Sequence, residues 1–224
     1  MWNFKKIRNC VVLNAVFLFS LGAHAGSFED FFKATAVDDE SAIVALALRG
    51  FDLNTLNEKG EPALIVALRE DSLKVANFLL TQRSVKVELR NPQGESPLMI
   101  AAIKGHLGPA RQLIQRGAEV NKTGWTPLHY AASRAETDSV AMARLLLEHH
   151  AYIDAESPNR STPLMLAAMY GHADVARLLL EEGADPSLRN EQGLTAVDFA
   201  RRADRSDLAD LIAVRMRSAR GTTR

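Results

Sequence analysis

The stretch that decides the fold is TPLHYAA at residues 126–132, because closely similar stretches recur along the chain. SPLMIAA occupies residues 96–102 and TPLMLAA occupies residues 162–168, and weaker copies lie at 62–67 and 195–200. Neighbouring copies are 30 to 36 residues apart. A recurring period of this length predicts a stack of similar structural units.

Each copy predicts the start of a short helix. Thr126 and Thr162 stand where an N-cap hydroxyl satisfies free backbone N–H groups, and a proline follows each at the first helical position. Paired alanines within the helix allow a neighbouring helix to approach closely. Gly105 and Gly171 predict the break after this helix, because glycine tolerates the left-handed geometry of a helix end.

A second helix is predicted after each break. In the stretch VARLLL at residues 175–180, Val175, Leu178 and Leu179 form an apolar face with helical spacing. Gly117 and Gly183 follow second helices, and an extended finger then leads into the next copy. One such hairpin cannot bury both of its faces, so the copies must stack into a solenoid.

The units resemble the ankyrin repeat. Residues 124–132 match the family pattern Gly-x-Thr-Pro-Leu-His-x-Ala-Ala, and residues 171–185 match Gly-His-x-x-Val-x-x-Leu-Leu-Leu-x-x-Gly-Ala-Asp. The resemblance covers about residues 28–214 and implies an all-α ankyrin-repeat solenoid of about six helix-turn-helix units with β-turn fingers. Within a domain spanning 26–214, the expected units are 28–56, 57–90, 91–121, 122–156, 157–189 and 190–214, of which the first and last are caps.

The middle of the array, about residues 120–160, departs from the pattern. The finger between Asn121 and Gly124 is about three residues short, and the segment 133–139 is about three residues longer than the usual inter-helix turn. His150 and Arg160 stand where glycines are expected. We therefore expect a binding surface that is peculiar to this protein.

The first 25 residues have the order of a secretory signal. Lys5, Lys6 and Arg8 precede the apolar stretch at 10–23, and Ala-His-Ala at 23–25 has the small-x-small pattern of a cleavage site. The alternative, an uncleaved membrane anchor, needs roughly 20 apolar residues. We therefore expect cleavage after Ala25, a periplasmic or secreted product and no membrane insertion after cleavage.

Removal of this signal takes three of the 27 basic residues and leaves 24 against 27 acidic residues, a net charge of −3. Cys10, the only cysteine, leaves with it, so the mature chain has no disulfide and no thiolate site. The segment 215–224 is a basic tail with four arginines. It is either a solvated tail or a contact for an anionic partner. The net acidic charge argues against a nucleic acid partner.

No pattern for catalysis or cofactor binding occurs. The chain has no Gly-x-Ser-x-Gly elbow and neither of the common phosphate-binding glycine motifs, so we expect no catalytic residues and no cofactor. His129 matches a family position at which the ring hydrogen-bonds backbone in adjacent turns. The tandem pair His149-His150 invites a metal, but adjacent side chains at a helix end point apart and no third ligand follows, so no metal site is predicted.

The resemblance implies a concave groove formed by fingers and first helices, and residues between the framework positions are free to face a partner. Trp125 is the only tryptophan left after cleavage, and it either contacts a partner or packs against the neighbouring finger. Tyr170 has the same two interpretations. The predicted contact patch is centred on Trp125, Arg134, Met169 and Tyr170, and it is extended by Lys104, Ser133, Glu95 and Arg201.

The expected function is a non-enzymatic protein-interaction scaffold, monomeric, with a folded protein as its partner. The chain resembles small exported ankyrin proteins of Gram-negative bacteria, some of which are similar to accessory factors of oxidative-stress or envelope defence. Two alternatives stay open: an immunity or inhibitor protein for an exported enzyme, and a secreted effector that binds host proteins.

Overall fold

The computed structural model describes residues 26–221, with side chains to residue 218. The predicted signal, residues 1–25, lies outside the described residues. The chain divides after Val85 into two compact units.

The first unit contains two helical hairpins whose apolar faces form one core. Phe31, Ile43, Ile65 and Leu79 are fully buried there, and an isolated β-bridge pairs Leu56 with Pro62 across the finger between the hairpins. The helices are α1 (26–36), α2 (Glu40–Leu48), α3 (Ala63–Arg69) and α4 (Leu73–Thr81).

The second unit contains four more hairpins. Its first helices are α5 (Pro97–Lys104), α7 (Pro127–Ala132), α9 (Pro163–Met169) and α11 (Ala196–Arg202). Its second helices are α6 (Leu107–Gln115), α8 (Ser139–Glu148), α10 (Ala173–Glu181) and α12 (Ser206–Gly221). First helices contact each other in chain order, second helices do the same, and each first helix packs on its own second helix. The predicted all-α solenoid of stacked hairpins is therefore confirmed.

The repeated stretches begin helices as predicted. The hydroxyl of Thr162 accepts a hydrogen bond from the Met165 N–H at 3.4 Å, and that of Ser96 accepts one from the Met99 N–H at 3.3 Å. The paired alanines at 101–102, 131–132 and 167–168 are buried completely. Small side chains at the contact let successive first helices pack closely.

The glycines at the breaks serve two different purposes, and one prediction was wrong. Gly105 has the expected left-handed backbone, with φ of 76°. Gly171 does not. A Cβ on Gly171 would lie 2.0 Å from the Ala132 carbonyl oxygen and 2.8 Å from the Ala167 Cα, so glycine is required there by lack of space instead of by backbone geometry.

The irregular positions in the middle of the array keep the backbone of the glycines they replace. His150 has φ of 64° and Arg160 has φ of 59°. Left-handed geometry in a residue with a Cβ costs roughly 1–2 kcal/mol. The stack therefore tolerates local strain at both positions.

The last helix extends beyond its predicted end at residue 214 and continues to Gly221, through most of the segment predicted as a tail. No glycine or proline lies between Ser206 and Gly221, so α12 contains no helix-breaking residue before its observed end. Between residues 26 and 221 no helix is both long and apolar enough to cross a bilayer.

Candidate functional site

An apolar depression in the second unit lies between α5, α7 and α9, on the side of the first helices. Its volume is about 290 Å³. Trp125 and Tyr170 are exposed aromatic residues at this site, with 37% and 58% of their surface accessible. We call this site the Trp125 pocket, and its lining residues are Ile103, Trp125, His129, Tyr130, Ser133, Leu166 and Tyr170.

His129 forms the rigid base of the pocket. Its Nε2–H donates to the Ser161 carbonyl at 3.0 Å, while Nδ1 accepts from the Thr126 N–H at 3.1 Å and from the Thr126 hydroxyl at 2.9 Å. Burial lowers the pKa of the ring, which keeps the neutral tautomer that this arrangement needs. The structural role predicted for His129 is confirmed.

Trp125 stands on this base. Its indole meets the imidazole of His129 edge to face, with ring centroids 5.4 Å apart and an interplanar angle of 81°. The adjacent Gly124 lies against the Pro158 side chain, which would be 3.6 Å from an added Cβ. Trp125 is thus held in place by its own helix start and still presents more than a third of its surface to solvent.

Tyr130 forms a second fixed wall. Its hydroxyl donates to the Glu95 carboxylate at 2.9 Å, and Glu95 also accepts from the Asn91 side-chain amide at 2.6 Å. Burial, reinforced by the Glu95 carboxylate, raises the pKa of the Tyr130 phenol, so it remains a donor. Glu95, a predicted contact residue, therefore holds the groove wall in position.

Arg134 is engaged within the stack and does not line the pocket. Its Nη1–H donates to the Ile103 carbonyl at 3.0 Å, and its Nε and Nη2 groups donate to the two oxygens of Asp138 at 3.0 and 3.2 Å. Its carbonyl accepts from the His172 N–H at 3.0 Å. Arg134 thus links its own repeat to the preceding and the following repeat. The turn that contains Arg134, between α7 and α8, has no glycine.

The structure brings some of the predicted contact residues together and leaves others apart. Trp125, Ser133 and Tyr170 line one pocket. Lys104 and Met169 are half-buried next to pocket residues in the sequence, and Arg201 is exposed on α11. Of the predicted patch, only Trp125, Ser133 and Tyr170 are therefore brought together in one pocket.

Sequence reasoning missed Tyr130 and Leu166 as pocket residues. Each is the fourth residue of its first helix and directly precedes the paired alanines. Ile100 holds the same position in α5. The predicted contact patch does not include this position. Its variation in size and polarity between copies was the available signal that it faces the groove.

The described residues form no candidate metal site. Within residues 26–218 no group of three histidine, cysteine, aspartate or glutamate side chains is placed to hold a metal ion. His149 and His150 are both exposed at the end of α8.

Comparison with known proteins identifies the family. Ankyrin repeats match this chain in four overlapping segments, 31–123, 83–157, 110–190 and 135–218, and the chain belongs to the ankyrin-repeat family. The nuclear factor NF-kappa-B p105 subunit of Mus musculus is 35% identical over 156 residues, which cover 66% of this chain. The B-cell lymphoma 3 protein homolog of Mus musculus is 31% identical over 163 residues, 70% of this chain. The chain spans only 16% and 36% of these relatives.

Two bacterial structures match over most of their length. One is a chain of the complex between a predatory endopeptidase of Bdellovibrio bacteriovorus and an immunity protein, with TM-score 0.71, 28% identity and coverage of 82% of this chain and 96% of that chain. The other is an ankyrin repeat domain from Acinetobacter baumannii, with TM-score 0.71, 26% identity and coverage of 83% and 96%. Ankyrin repeats are protein-interaction modules, and the family generally consists of binding scaffolds.

Proposed function

We propose that this protein is a non-enzymatic scaffold that binds a protein partner through the Trp125 pocket and the surrounding ends of the first helices. The observation that supports it is an exposed aromatic pair, Trp125 and Tyr170, above an apolar depression whose base is rigid. Large aromatic residues in preformed sites supply much of the binding energy at protein interfaces. The pocket lies in the irregular part of the array, where the surface differs most from a regular repeat.

The proposed location is the periplasm, after cleavage of the signal following Ala25. The basic, apolar and cleavable segments of residues 1–25 support it. Fractionation of cells that produce the full chain, followed by N-terminal sequencing of the exported product, tests this. We expect periplasmic protein beginning at Gly26, and a cytoplasmic chain that retains residue 1 would refute the assignment.

Affinity capture with residues 26–224 as bait, from the periplasm of the source cells, tests the binding surface. The captured partner is then titrated against Trp125→Ala and Tyr152→Ala. Tyr152 is the matched control, an exposed aromatic residue that does not line the pocket. We expect Trp125→Ala to weaken binding about tenfold or more with an unchanged helical spectrum, and Tyr152→Ala to bind normally. Equal affinity of wild type and Trp125→Ala would remove this surface from the proposal.

A second candidate is an immunity or inhibitor protein for an exported enzyme. The structural match to a chain of the endopeptidase–immunity protein complex, over 96% of that chain, favours it. This version predicts a single captured enzyme, nanomolar affinity and stoichiometric loss of its activity when the bait is added. A partner that retains full activity in the saturated complex would exclude inhibition while leaving the scaffold proposal intact.

A further inference from the structure

Three fingers of the second unit are each tied to the next finger by one side chain. In each case the side chain accepts a hydrogen bond from a backbone N–H group 31 residues later in the chain, at N···O distances of 2.7, 2.8 and 3.1 Å. We call these contacts the finger joints. The accepting side chains are those of Glu88, Asn121 and Asp154, and the donating N–H groups belong to Glu119, Tyr152 and Asp185.

The Asn121 joint is neutral. The side-chain oxygen of Asn121 accepts from the Tyr152 N–H at 2.8 Å, and its amide nitrogen donates to the His150 carbonyl at 2.7 Å. One amide group thus satisfies one donor and one acceptor of the next repeat. Because no charge takes part, this joint does not depend on pH.

The Glu88 joint is charged, and cations compensate it. The guanidinium of Arg90 donates to the carboxylate of Glu88 at 2.8 Å and to that of Glu119 at 2.9 Å. Lys122 of the following finger adds a second positive charge that acts on both carboxylates. Burial raises the pKa of Glu88, and the charge of Arg90 opposes this. The two carboxylates are therefore bridged by a cation.

The Asp154 joint is charged and uncompensated. Both oxygens of the Asp154 carboxylate accept from the Asp185 N–H, at 3.1 and 3.2 Å. The charged group that acts on Asp154 is the Asp185 carboxylate, which is held by the N–H and hydroxyl groups of Ser187. Burial, reinforced by this like charge, raises the pKa of Asp154. Within the described residues no cation pairs with either aspartate, in contrast to Arg90 at the Glu88 joint.

We propose that the Asp154 joint is a proton-controlled contact between two fingers, in which the protonated carboxyl group copies the amide of Asn121. A neutral carboxyl group has an O–H donor and a carbonyl acceptor, as the amide has a donor and an acceptor. The carbonyl oxygen keeps the bond from the Asp185 N–H. The acquired O–H donates to the Gly183 carbonyl, which holds the place that the His150 carbonyl has in the Asn121 joint.

This joint stabilises the fold in acid. A group whose pKa is higher in the folded than in the unfolded protein contributes stability that is fully present below the unfolded value, 3.8 for aspartate. That stability is lost as the pH rises through the folded value. At pH 7 the joint retains its N–H bond but carries the cost of a half-buried charge beside a second carboxylate. The inference goes beyond the proposed function, because the finger joints do not involve the Trp125 pocket.

Asp154→Asn and Asn121→Asp exchange the two chemistries between equivalent joints. Urea denaturation of the wild type and both variants at pH 7 and pH 4 compares them, with protein from cells that produce the full chain. At pH 7 we expect the unfolding equilibrium constant to be severalfold smaller for Asp154→Asn and severalfold larger for Asn121→Asp than for the wild type. Both differences shrink at pH 4 as the carboxyl groups are protonated. Comparison with the wild type at each pH cancels the effect of other titrating groups, such as His129.

Two further measurements separate the charge from the packing of the joint. In an Asp185→Asn background the like charge is absent, so the gain from Asp154→Asn at pH 7 should be smaller than in the wild type. In the wild type, the NMR resonance of the Asp154 carboxyl carbon should titrate with a midpoint above pH 3.8. The backbone N–H resonance of Asp185 should follow the same titration, because it donates to that carboxyl group.

An Asp154→Asn protein no more stable than the wild type at pH 7 would overturn the proposal. A gain of equal size at pH 4 and pH 7 would do so as well, since asparagine would then act by packing and not by loss of charge. If Asn121→Asp does not fold, the Asp154 resonance still decides, because a midpoint at or below pH 3.8 contradicts a proton-controlled joint. These outcomes leave the proposed function untouched, since that is tested by partner binding to Trp125→Ala.

Discussion

Two consecutive repeats, those of α7–α8 and α9–α10, start with the same Thr-Pro-Leu stretch and differ at the residue that follows it. In the later repeat the Met165 sulfur accepts the Thr162 N–H at 3.4 Å, and the contact stays within one repeat. In the earlier repeat His129 makes the same local contact and also reaches the Ser161 carbonyl, 32 residues along the chain. The imidazole has two hydrogen-bonding atoms where the thioether has one, so histidine joins repeats and methionine does not.

The turn between α7 and α8 is longer than the turn between α9 and α10, and the two turns contact each other. In the longer turn after α7, the Arg134 side chain donates to the Ile103 carbonyl of the preceding repeat. The Arg134 carbonyl accepts from the His172 N–H in the turn of the following repeat. The same arrangement brings the Ala132 carbonyl so close to residue 171 that only glycine fits. The irregular turn after α7 thus requires glycine at position 171 of the next repeat. Mutations at this contact test that requirement.

The largest effect is expected from Gly171→Ala. An added Cβ would lie 2.0 Å from the Ala132 carbonyl oxygen of the preceding repeat and 2.8 Å from the Ala167 Cα of its own repeat, and the Ala132 carbonyl cannot move away without separating the two repeats. We expect a loss of about 3 kcal/mol in the free energy of unfolding, measured by urea denaturation followed by circular dichroism.

Gly108→Ala is the matched control. Gly108 lies inside α6, and a Cβ added there meets nothing within 4 Å. Gly108 is in the first turn and precedes Pro109, whose ring disfavours a Cβ-bearing helical neighbour, so this variant should change the free energy of unfolding by less than about 0.5 kcal/mol. A Gly171→Ala protein as stable as Gly108→Ala would refute the close approach of the two repeats.

The next effect is expected from His129→Gln, which removes the bond to the Ser161 carbonyl. Leaving that buried acceptor unsatisfied should cost about 2 kcal/mol. The wild type should also show a pH dependence, because burial lowers the pKa of His129 in the folded protein. The neutral ring stabilises the fold fully above the unfolded pKa of about 6.5. As the pH falls below that value, stability is lost by up to about 1.4 kcal/mol per pH unit until the folded pKa is passed.

Urea denaturation between pH 5 and pH 8 measures this dependence. In His129→Gln, the decrease in the free energy of unfolding that His129 causes below about pH 6.5 should be absent. His149→Gln should retain it, since His149 is exposed at the end of α8. An unchanged slope in His129→Gln would contradict the assignment of the pH dependence to the buried ring.

A smaller effect is expected from Arg134→Ala, which removes the link to the Ile103 carbonyl and the paired contact with Asp138. The Arg134 side chain is only 18% exposed, so we expect a loss of about 1–2 kcal/mol. Arg144→Ala is the comparison, because Arg144 is 54% exposed and its nearest pairing with Glu182 spans 3.8 Å. That change should cost less than about 0.5 kcal/mol. Equal losses in denaturation would show that Arg134 does not brace the stack.

The smallest effect is expected from His150→Gly, and it should be stabilising. His150 has φ of 64°, and glycine relieves the strain of a left-handed residue while it adds flexibility to the unfolded chain. The two effects leave a net gain of about 0.5–1 kcal/mol. Glu148→Gly, two residues earlier in the last turn of α8, should lose a similar amount. A loss of stability in His150→Gly, measured by thermal unfolding, would contradict the strain at this position.

The repeats, their helices and the role of His129 could be predicted from sequence, because each depends on local patterns that recur. Glycine at position 171 was predicted as well, but for the wrong reason, since its cause is the carbonyl of Ala132 in another repeat. Tyr130 and Leu166 were missed because the pattern within a single copy does not show that this variable position faces the groove. Arg134 was expected to face a partner, yet its side chain turns back to Ile103, a contact that local spacing does not reveal.

The amino-acid sequence by itself determined that this chain is an ankyrin-repeat stack, since helix caps, paired alanines and apolar spacing act within about thirty residues and repeat with the copies. Only the tertiary structure decided which side chains meet between copies. The Trp125 pocket is formed by residues from three repeats, and its walls are fixed by hydrogen bonds that join residues up to 35 positions apart. Such contacts depend on how the repeats stack, because their geometry is set by the packing of neighbours and not by the pattern within one unit.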